Sequence, residues 1–330
     1  MKADEINILF TSSGRRVSLV KKFKEAYALH GIKGKIVTAD LKPTAPTAFM
    51  SDRHVLVPRV TEPDYLERLL AICREERIHL VVPLIDTELV LLADHKPLFD
   101  EINVKLLLSS KELNEMANDK QKTYEYFSAN GIATPKVYGE DELEKGRYQF
   151  PLMIKPRNGS SSQGVTKILN ERELRFFKDY IPGAIVQQFV TGDEYTVDVM
   201  VDFGGNIKTI VPRLRIETRA GEVSKGITRK NEAVIAAAEK VVRALPGPVG
   251  CVTLQCFEQQ GGEITFIEIN PRFGGGIPLA IEAGADFPLW TIRLGRGESF
   301  AEGQDYGWCD RLTMLRYDDA VFTKEIAYGY

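Results

Sequence analysis

The sequence has few cysteines, no long apolar run and no block of like charge, and each shortage removes a class of function. Cys73, Cys251, Cys256 and Cys309 lack metal-type spacing, which argues against a zinc module. Cys251 and Cys256 lie an odd number of positions apart on one predicted strand, so they face opposite sides. The four read as reduced thiols of a cytoplasmic protein. The apolar runs fall far short of the ~20 residues that cross a bilayer, so no membrane partner is expected. A net charge of -3 without a dense basic stretch gives no footprint for nucleic acid. Met1-Lys2-Ala3-Asp4-Glu5 is charged and leads straight into a strand, which predicts no signal peptide.

Familiar nucleotide signatures are missing as well. The first strand is followed by a single glycine, Gly14, and not by G-x-G-x-x-G. Asp40 stands where a dinucleotide fold places its ribose-binding acid, but an Asp after a strand is also an ordinary turn residue. There is no G-x-x-x-x-G-K-[ST]. Asp202-Phe203-Gly204 has no H-R-D to accompany it, and it reads as a hairpin turn.

What remains is a chain of 330 residues, 44% hydrophobic and 27% charged, long enough for two or three domains. Strands at 6–11, 35–39, 54–57, 80–83 and 104–108 alternate with helices at 17–30 and 64–76 and a helical stretch at 87–94. That alternation predicts an α/β fold with a doubly wound parallel sheet over residues 1–110. The helix predicted at 64–76 has Leu66, Leu69, Leu70 and Cys73 on one face. Arg15 and Arg16 follow the first strand, at the sheet end where such folds bind ligands. They suit an anionic substrate or a solvated helix start.

Residues 111–330 read differently. Pro151 to Pro156 forms a strand containing Lys155, and Val165 to Leu169 returns. Between them Gly159, Ser160, Ser161, Ser162 and Gly164 supply small donors that can fold over phosphates, with Lys155 as a point charge. An ordinary hairpin has the same composition. Downstream, Phe189 and Val190 offer apolar surface to a flat base, while Gln187 and Glu194 can reach sugar hydroxyls. Taken singly, each is also a routine sheet residue.

Ile264-Thr265-Phe266-Ile267-Glu268-Ile269-Asn270-Pro271-Arg272 is the most informative stretch. Strand alternation directs Glu268, Asn270 and Arg272 to one side, with Ile267 and Ile269 on the other. A two-residue turn at Gly261-Gly262 would set Gln255 directly opposite Glu268. Gln255, Glu268 and Asn270 then converge as oxygen ligands, a set suited to magnesium shared with phosphate oxygens. A solvent-facing hairpin edge is the alternative. Arg213, Arg215 and Arg219 alternate along a further strand and share its face, as contacts to an acidic substrate or as a solvated surface.

Taken in order, Lys120, Lys155 before a Gly/Ser loop, Gln187 to Glu194, Gln255 and Glu268-Ile269-Asn270-Pro271-Arg272 resemble the ATP-grasp superfamily. More narrowly, the chain is similar to one synthetase unit of the carbamoyl-phosphate synthase large subunit and to single-unit carboxylate–amine ligases. The resemblance implies a pre-grasp domain over 1–110 and an ATP-grasp fold of two α+β subdomains over 111–330, its lid at about 148–186. It implies that Lys120 and Lys155 contact ATP phosphates beneath the Gly159–Gly164 loop. Gln187, Glu194 and the backbone of Phe189-Val190 would hold adenosine. Gln255, Glu268 and Asn270 would bind Mg²⁺, with Mn²⁺ an acceptable substitute, and Arg272 would stabilise the transferring phosphoryl group. Many members carry Glu where this chain has Gln187. The implied reaction turns a carboxylate into an acyl phosphate that an amine or ammonia attacks. The chain has room for one grasp unit, so a homodimer or a partner subunit that completes a split enzyme stays open. A non-catalytic ATP-binding module is the other alternative.

Overall fold

A computed structural model describes residues 5–159, 164–219, 221–300 and 302–324. Five short strands, β1 (Ile8–Thr11), β2 (Ile36–Asp40), β3 (Arg53–Leu56), β4 (Leu80–Pro83) and β5 (Lys105–Leu106), form a parallel sheet in the order β3-β2-β1-β4-β5. β1 and β4 are buried along their whole length, as expected where helices cover both faces. α1 (Val17–Leu29) packs Val20 and Phe23 on one side of the sheet. α2 (Tyr65–Glu75) buries Tyr65, Leu69, Ile72 and Cys73 on the other. The α2 stripe therefore runs one position away from Leu66 and Leu70, which lie on its half-buried flank. α3 (Asp86–Asp94) starts directly beyond β4.

A small antiparallel sheet follows, of β6 (Leu152–Pro156), β7 (Thr166–Ile168) and β8 (Ala184–Gln188) in the order β7-β6-β8. Its core is Leu152, Ile154, Ile168 and Val186 under Leu174 of the helix Glu171–Tyr180. The third sheet contains β9 (Asp193–Val201), β10 (Ile207–Arg219), β11 (Glu222–Thr228), β12 (Gly250–Glu258), β13 (Ile264–Asn270) and β14 (Thr313–Leu315). Its order is β13-β12-β9-β10-β11-β14.

Alternation gives this third sheet two distinct faces. Val199, Val252 and Leu254 pack on Val234, Ala238 and Val241 of the helix Glu232–Ala244. Met200, Val211 and Cys251 face the other way and join the core of the first domain through Phe10, Leu80 and Phe273. Cys251 and Cys256 accordingly lie in different cores. Two residues further along each strand the second face turns polar: Asp198 and Thr196 on β9, Arg213 and Arg215 on β10, Thr253 and Gln255 on β12. The site is this polar continuation of an apolar face.

The β12–β13 hairpin reaches the expected pairing by an unexpected route. Gln259 N donates to Glu263 O at 2.9 Å, so the loop has three residues, Gln260, Gly261 and Gly262. That shifts the register by one, and Phe266 pairs with Cys256. A bulge at Ile267 shifts it back, so Gln255 pairs with Glu268 and Thr253 with Asn270. The bulge also corrects the assignment of faces. Phe266 and Ile269 both enter the core, while Ile267 stays half-buried outside it.

Candidate active site

Glu268 is the carboxylate on which the site is built. It makes no hydrogen bond or ion pair to another described residue, yet Lys155, Lys120 and Arg272 all feel its charge. Gln255 lies opposite it and Asn270 two positions on. Among the described residues no three His, Cys, Asp or Glu side chains cluster as a metal site. The donor set is one carboxylate and two amides, all hard oxygens, which fits magnesium when phosphates supply further ligands.

Lys155 on β6 is buried, and burial pushes its ammonium down to about 8 despite the opposing pull of Glu268; Lys120 lowers it further. Lys120 begins the helix Lys120–Ala129, capped by Asp119, whose carboxylate accepts from Gln121 N and Lys122 N. Its Nζ donates to Gly159 O at 2.7 Å. Arg157 Nε donates to both oxygens of Asp119, at 2.8 and 2.9 Å. The helix start and the loop start are thereby tied together. Gly159 and Gly164 have φ of +104° and +69°, conformations that favour glycine at both ends of the loop. Ser160, Ser161 and Ser162 lie outside the described residues.

At the other end of β8, Gln187 is buried and Phe189 and Val190 are half-buried. Lys167 Nζ stands 4.4 Å from the Phe189 ring centre. Burial raises the Glu194 pKa, with Arg215 opposing. Arg215 Nη1 lies 2.8 Å from Glu194 Oε1 and 3.1 Å from Gln255 Oε1. Its Nη2 donates to Gly221 O. Arg215, expected as a substrate contact, thus links the predicted sugar residue to the predicted metal residue.

The other expected substrate arginines separate. Arg213 is fully buried and binds Asp198 through Nε and Nη2, at 2.5 and 3.1 Å, leaving Nη1 without a partner at the cavity wall. Arg219 does not join the site: it pairs with Asp318 on the surface. Register shifts at Arg215/Glu217 and Glu217/Thr218 break the alternation that placed it with the others. Arg15 is exposed, and its neighbour Arg16 lines the cavity instead.

Arg272 is held more tightly than a motif can tell. Its Nε donates to Asp86 Oδ1 at 2.7 Å, its Nη2 to Asp86 Oδ2 and to Asn270 Oδ1, and its Nη1 to Phe273 O. Burial lowers its pKa, but Asp86 and Glu268 more than offset that and raise it. Asp86 is the first residue of α3, so the first domain orients this guanidinium. The sequence carried a signal for Asp86, since it follows β4 at the ligand-binding end of a parallel sheet. Asp86→Asn is expected to lower kcat roughly tenfold to a hundredfold, as mispositioning of a cation that faces the reacting group does, with Mg-ATP affinity nearly intact. Steady-state kinetics beside calorimetry would check it; an unchanged kcat would remove Asp86 from any role in catalysis.

Comparison with known proteins fits this geometry. Residues 117–276 match the ATP-grasp domain model, and residues 8–107 match the PylC-like N-terminal domain. The chain belongs to the ATP-grasp superfamily. It is 28% identical over 199 residues to the carbamoyl phosphate synthase large chain of Clostridium beijerinckii, a match covering 54% of this chain and 18% of that one. It is 28% identical over 180 residues to the 3-methyl-D-ornithine–L-lysine ligase of Methanosarcina acetivorans, covering 54% and 45%. The matches thus span less than half the length of both relatives. The fold resembles that of the biotin carboxylase domain of Hydrogenobacter thermophilus 2-oxoglutarate carboxylase, solved with MgADP and bicarbonate (TM-score 0.74, 17% identity, covering 93% and 73%). It also resembles N5-carboxyaminoimidazole synthetase from Staphylococcus aureus, solved with ADP (TM-score 0.71, 17% identity, covering 91% and 79%). Among the described residues no helix is long and apolar enough to cross a membrane.

Proposed function

We propose that this chain is a Mg-ATP-dependent ligase that activates a small carboxylate as an acyl phosphate and passes the acyl group to an amine or ammonia. The observation that carries this reading is Glu268, a carboxylate with no partner among the described residues, paired in register with Gln255 and set in the field of buried Lys155 and half-buried Lys120. Gln255, Glu268 and Asn270 would hold magnesium, which when bound neutralises charge on phosphate oxygens. Lys120 and Lys155 bind the phosphates, with Lys120 tethered to Gly159 O. Gln187, Phe189 and Val190 hold the base and sugar, with Glu194 oriented by Arg215. Arg272, fixed by Asp86, faces the phosphoryl group in transit.

In the first step a carboxylate oxygen attacks the γ-phosphorus and the bond to ADP breaks. In the second the amine attacks the acyl carbon, inorganic phosphate leaves, and the nitrogen loses a proton. Such chemistry needs positioning and charge neutralisation more than a protein nucleophile.

The test is ADP release with Mg-ATP against a panel of acids and amines, bicarbonate and ammonia included. Release that requires one acid and one amine is expected. ATP that binds without turnover under every combination would overturn the reading for the isolated chain and favour a subunit of a split enzyme.

A further inference from the structure

The cavity is lined by Gln255, Glu268, Asn270 and Arg272, and by a second charged group, Arg16, Arg213 and Glu222, gathered around Gly275 and Gly276. Among the described residues, pairing the charges of this lining leaves Glu268 and one cation without a close partner. Arg213 belongs to Asp198, Arg215 to Glu194 and Arg272 to Asp86. Glu222 is held by Arg316 at 3.0 Å. Arg16 is left with a single long contact, 4.0 Å to that same Glu222. Burial lowers its pKa and Arg272 lowers it further, with Glu222 opposing; Arg16 shares Glu222 with Arg316 and has no hydrogen-bonded acceptor of its own among the described residues.

A second observation points to the same place. Arg213 is 1% exposed, and its Nη1 has no partner among the described residues. A buried guanidinium N–H without an acceptor is costly, and the cost is relieved when an anion arrives. The two guanidinium groups also meet one stretch of backbone. A Cβ on Gly275 would fall 2.8 Å from Arg16 Nη1, and one on Gly276 would fall 2.3 Å from Arg213 Nη1. Consecutive glycines are what let both cations reach this wall, and any side chain there would displace them.

We propose that the acid substrate is a short dicarboxylate. Its reacting carboxylate lies beside Gln255, Glu268 and Asn270, and its second carboxylate lies between Arg16 and Nη1 of Arg213. This rests on the ligase reading for the first carboxylate only. The cavity, about 110 Å³, is compact, and a diacid with a short chain suits it. A planar carboxylate suits two guanidinium groups better than a bulky head group does.

The experiment compares succinate with butyrate, which has the same chain and lacks one carboxylate. Binding is measured by calorimetry with Mg-ADP present, and turnover by ADP release with a panel of amines. Succinate is expected to bind about tenfold or more tightly than butyrate, as one charge-assisted contact allows. Arg16→Gln, a substitution at a half-buried position, should remove most of that advantage and leave Mg-ADP affinity unchanged. Gly276→Ala should do the same by displacing Nη1 of Arg213. Equal binding of the two acids, or an equal loss for both in Arg16→Gln, overturns the proposal, because the guanidinium groups would then serve the reacting carboxylate. ADP release that favours no diacid also overturns it while leaving the ligase reading in place. Arg16-dependent succinate binding without ADP release from any acid upholds the second-carboxylate site and overturns the ligase reading.

Discussion

Glu268→Gln is expected to fold normally and to lose Mg-dependent turnover by roughly a thousandfold or more, the scale seen when a charge that organises a transferring group is removed. The substitution keeps size and shape and deletes a charge that no described protein group neutralises by direct contact. Removing it relieves the protein of an unpaired anion, so the melting temperature should hold or rise. The loss falls on function because Gln255 and Asn270 are neutral amides, and Glu268 is the only anion of the proposed metal set. Nucleotide affinity measured with and without Mg²⁺ gives the sharper readout. The metal-dependent part should vanish in the variant and the metal-independent part should remain. Retained activity, or an unchanged metal dependence, would displace the site from this hairpin.

The second large effect is at Lys155, where stability and function should move in opposite directions. Its pKa falls from 10.5 to about 8 on folding, because burial disfavours the ammonium. A folded-state pKa below the unfolded one means that the charged form is penalised in the fold. The penalty is complete below pH 8, fades as pH rises from 8 to 10.5, and is absent above that range. Lys155→Met should therefore stabilise the nucleotide-free protein at pH 7 by up to about 3 kcal/mol, and by little near pH 11. The same variant should lose ATP affinity about a hundredfold, since phosphate oxygens are the partner that this buried charge lacks. In the wild type, affinity for Mg-ATP should weaken as pH rises through 8, as the amine loses its proton. Thermal melts at both pH values, with and without Mg-ATP, check each part. A variant that melts with the wild type at pH 7 would remove the burial account, and one that binds ATP normally would remove Lys155 from the phosphate site.

Both predictions concern residues that local sequence rules identified. A lysine on a strand before a Gly/Ser loop, and a carboxylate two positions from an amide before Pro271, are patterns whose spacing suggests phosphate and metal contacts beside the plainer reading of ordinary hairpins. The same holds for the alternating strands and helices of the first 108 residues, whose apolar periods produce a parallel sheet. The pairing of Gln255 with Glu268 was legible too, although a three-residue turn and a bulge at Ile267 had to cancel for it to come out. Period-two alternation carries no trace of a bulge, which is why it sets Ile267 on one side with Ile269, although Phe266 is the residue that joins Ile269 in the core.

Charge pairing was not legible. Arg213, Arg215 and Arg219 look alike in sequence, yet one is sealed by Asp198, one bridges Glu194 and Gln255, and one reaches Asp318 on the surface. Arg272 is oriented by Asp86, 186 positions away in another domain. Arg16 and not Arg15 meets the cavity, because the turn after β1 aims it there. The sequence by itself determined most of the elements and the residues that the proposed site draws on, since those depend on residue type and short spacing. Only the tertiary structure decided which cations remain uncompensated, because that depends on which carboxylates the folded chain brings within a few ångströms of each guanidinium group.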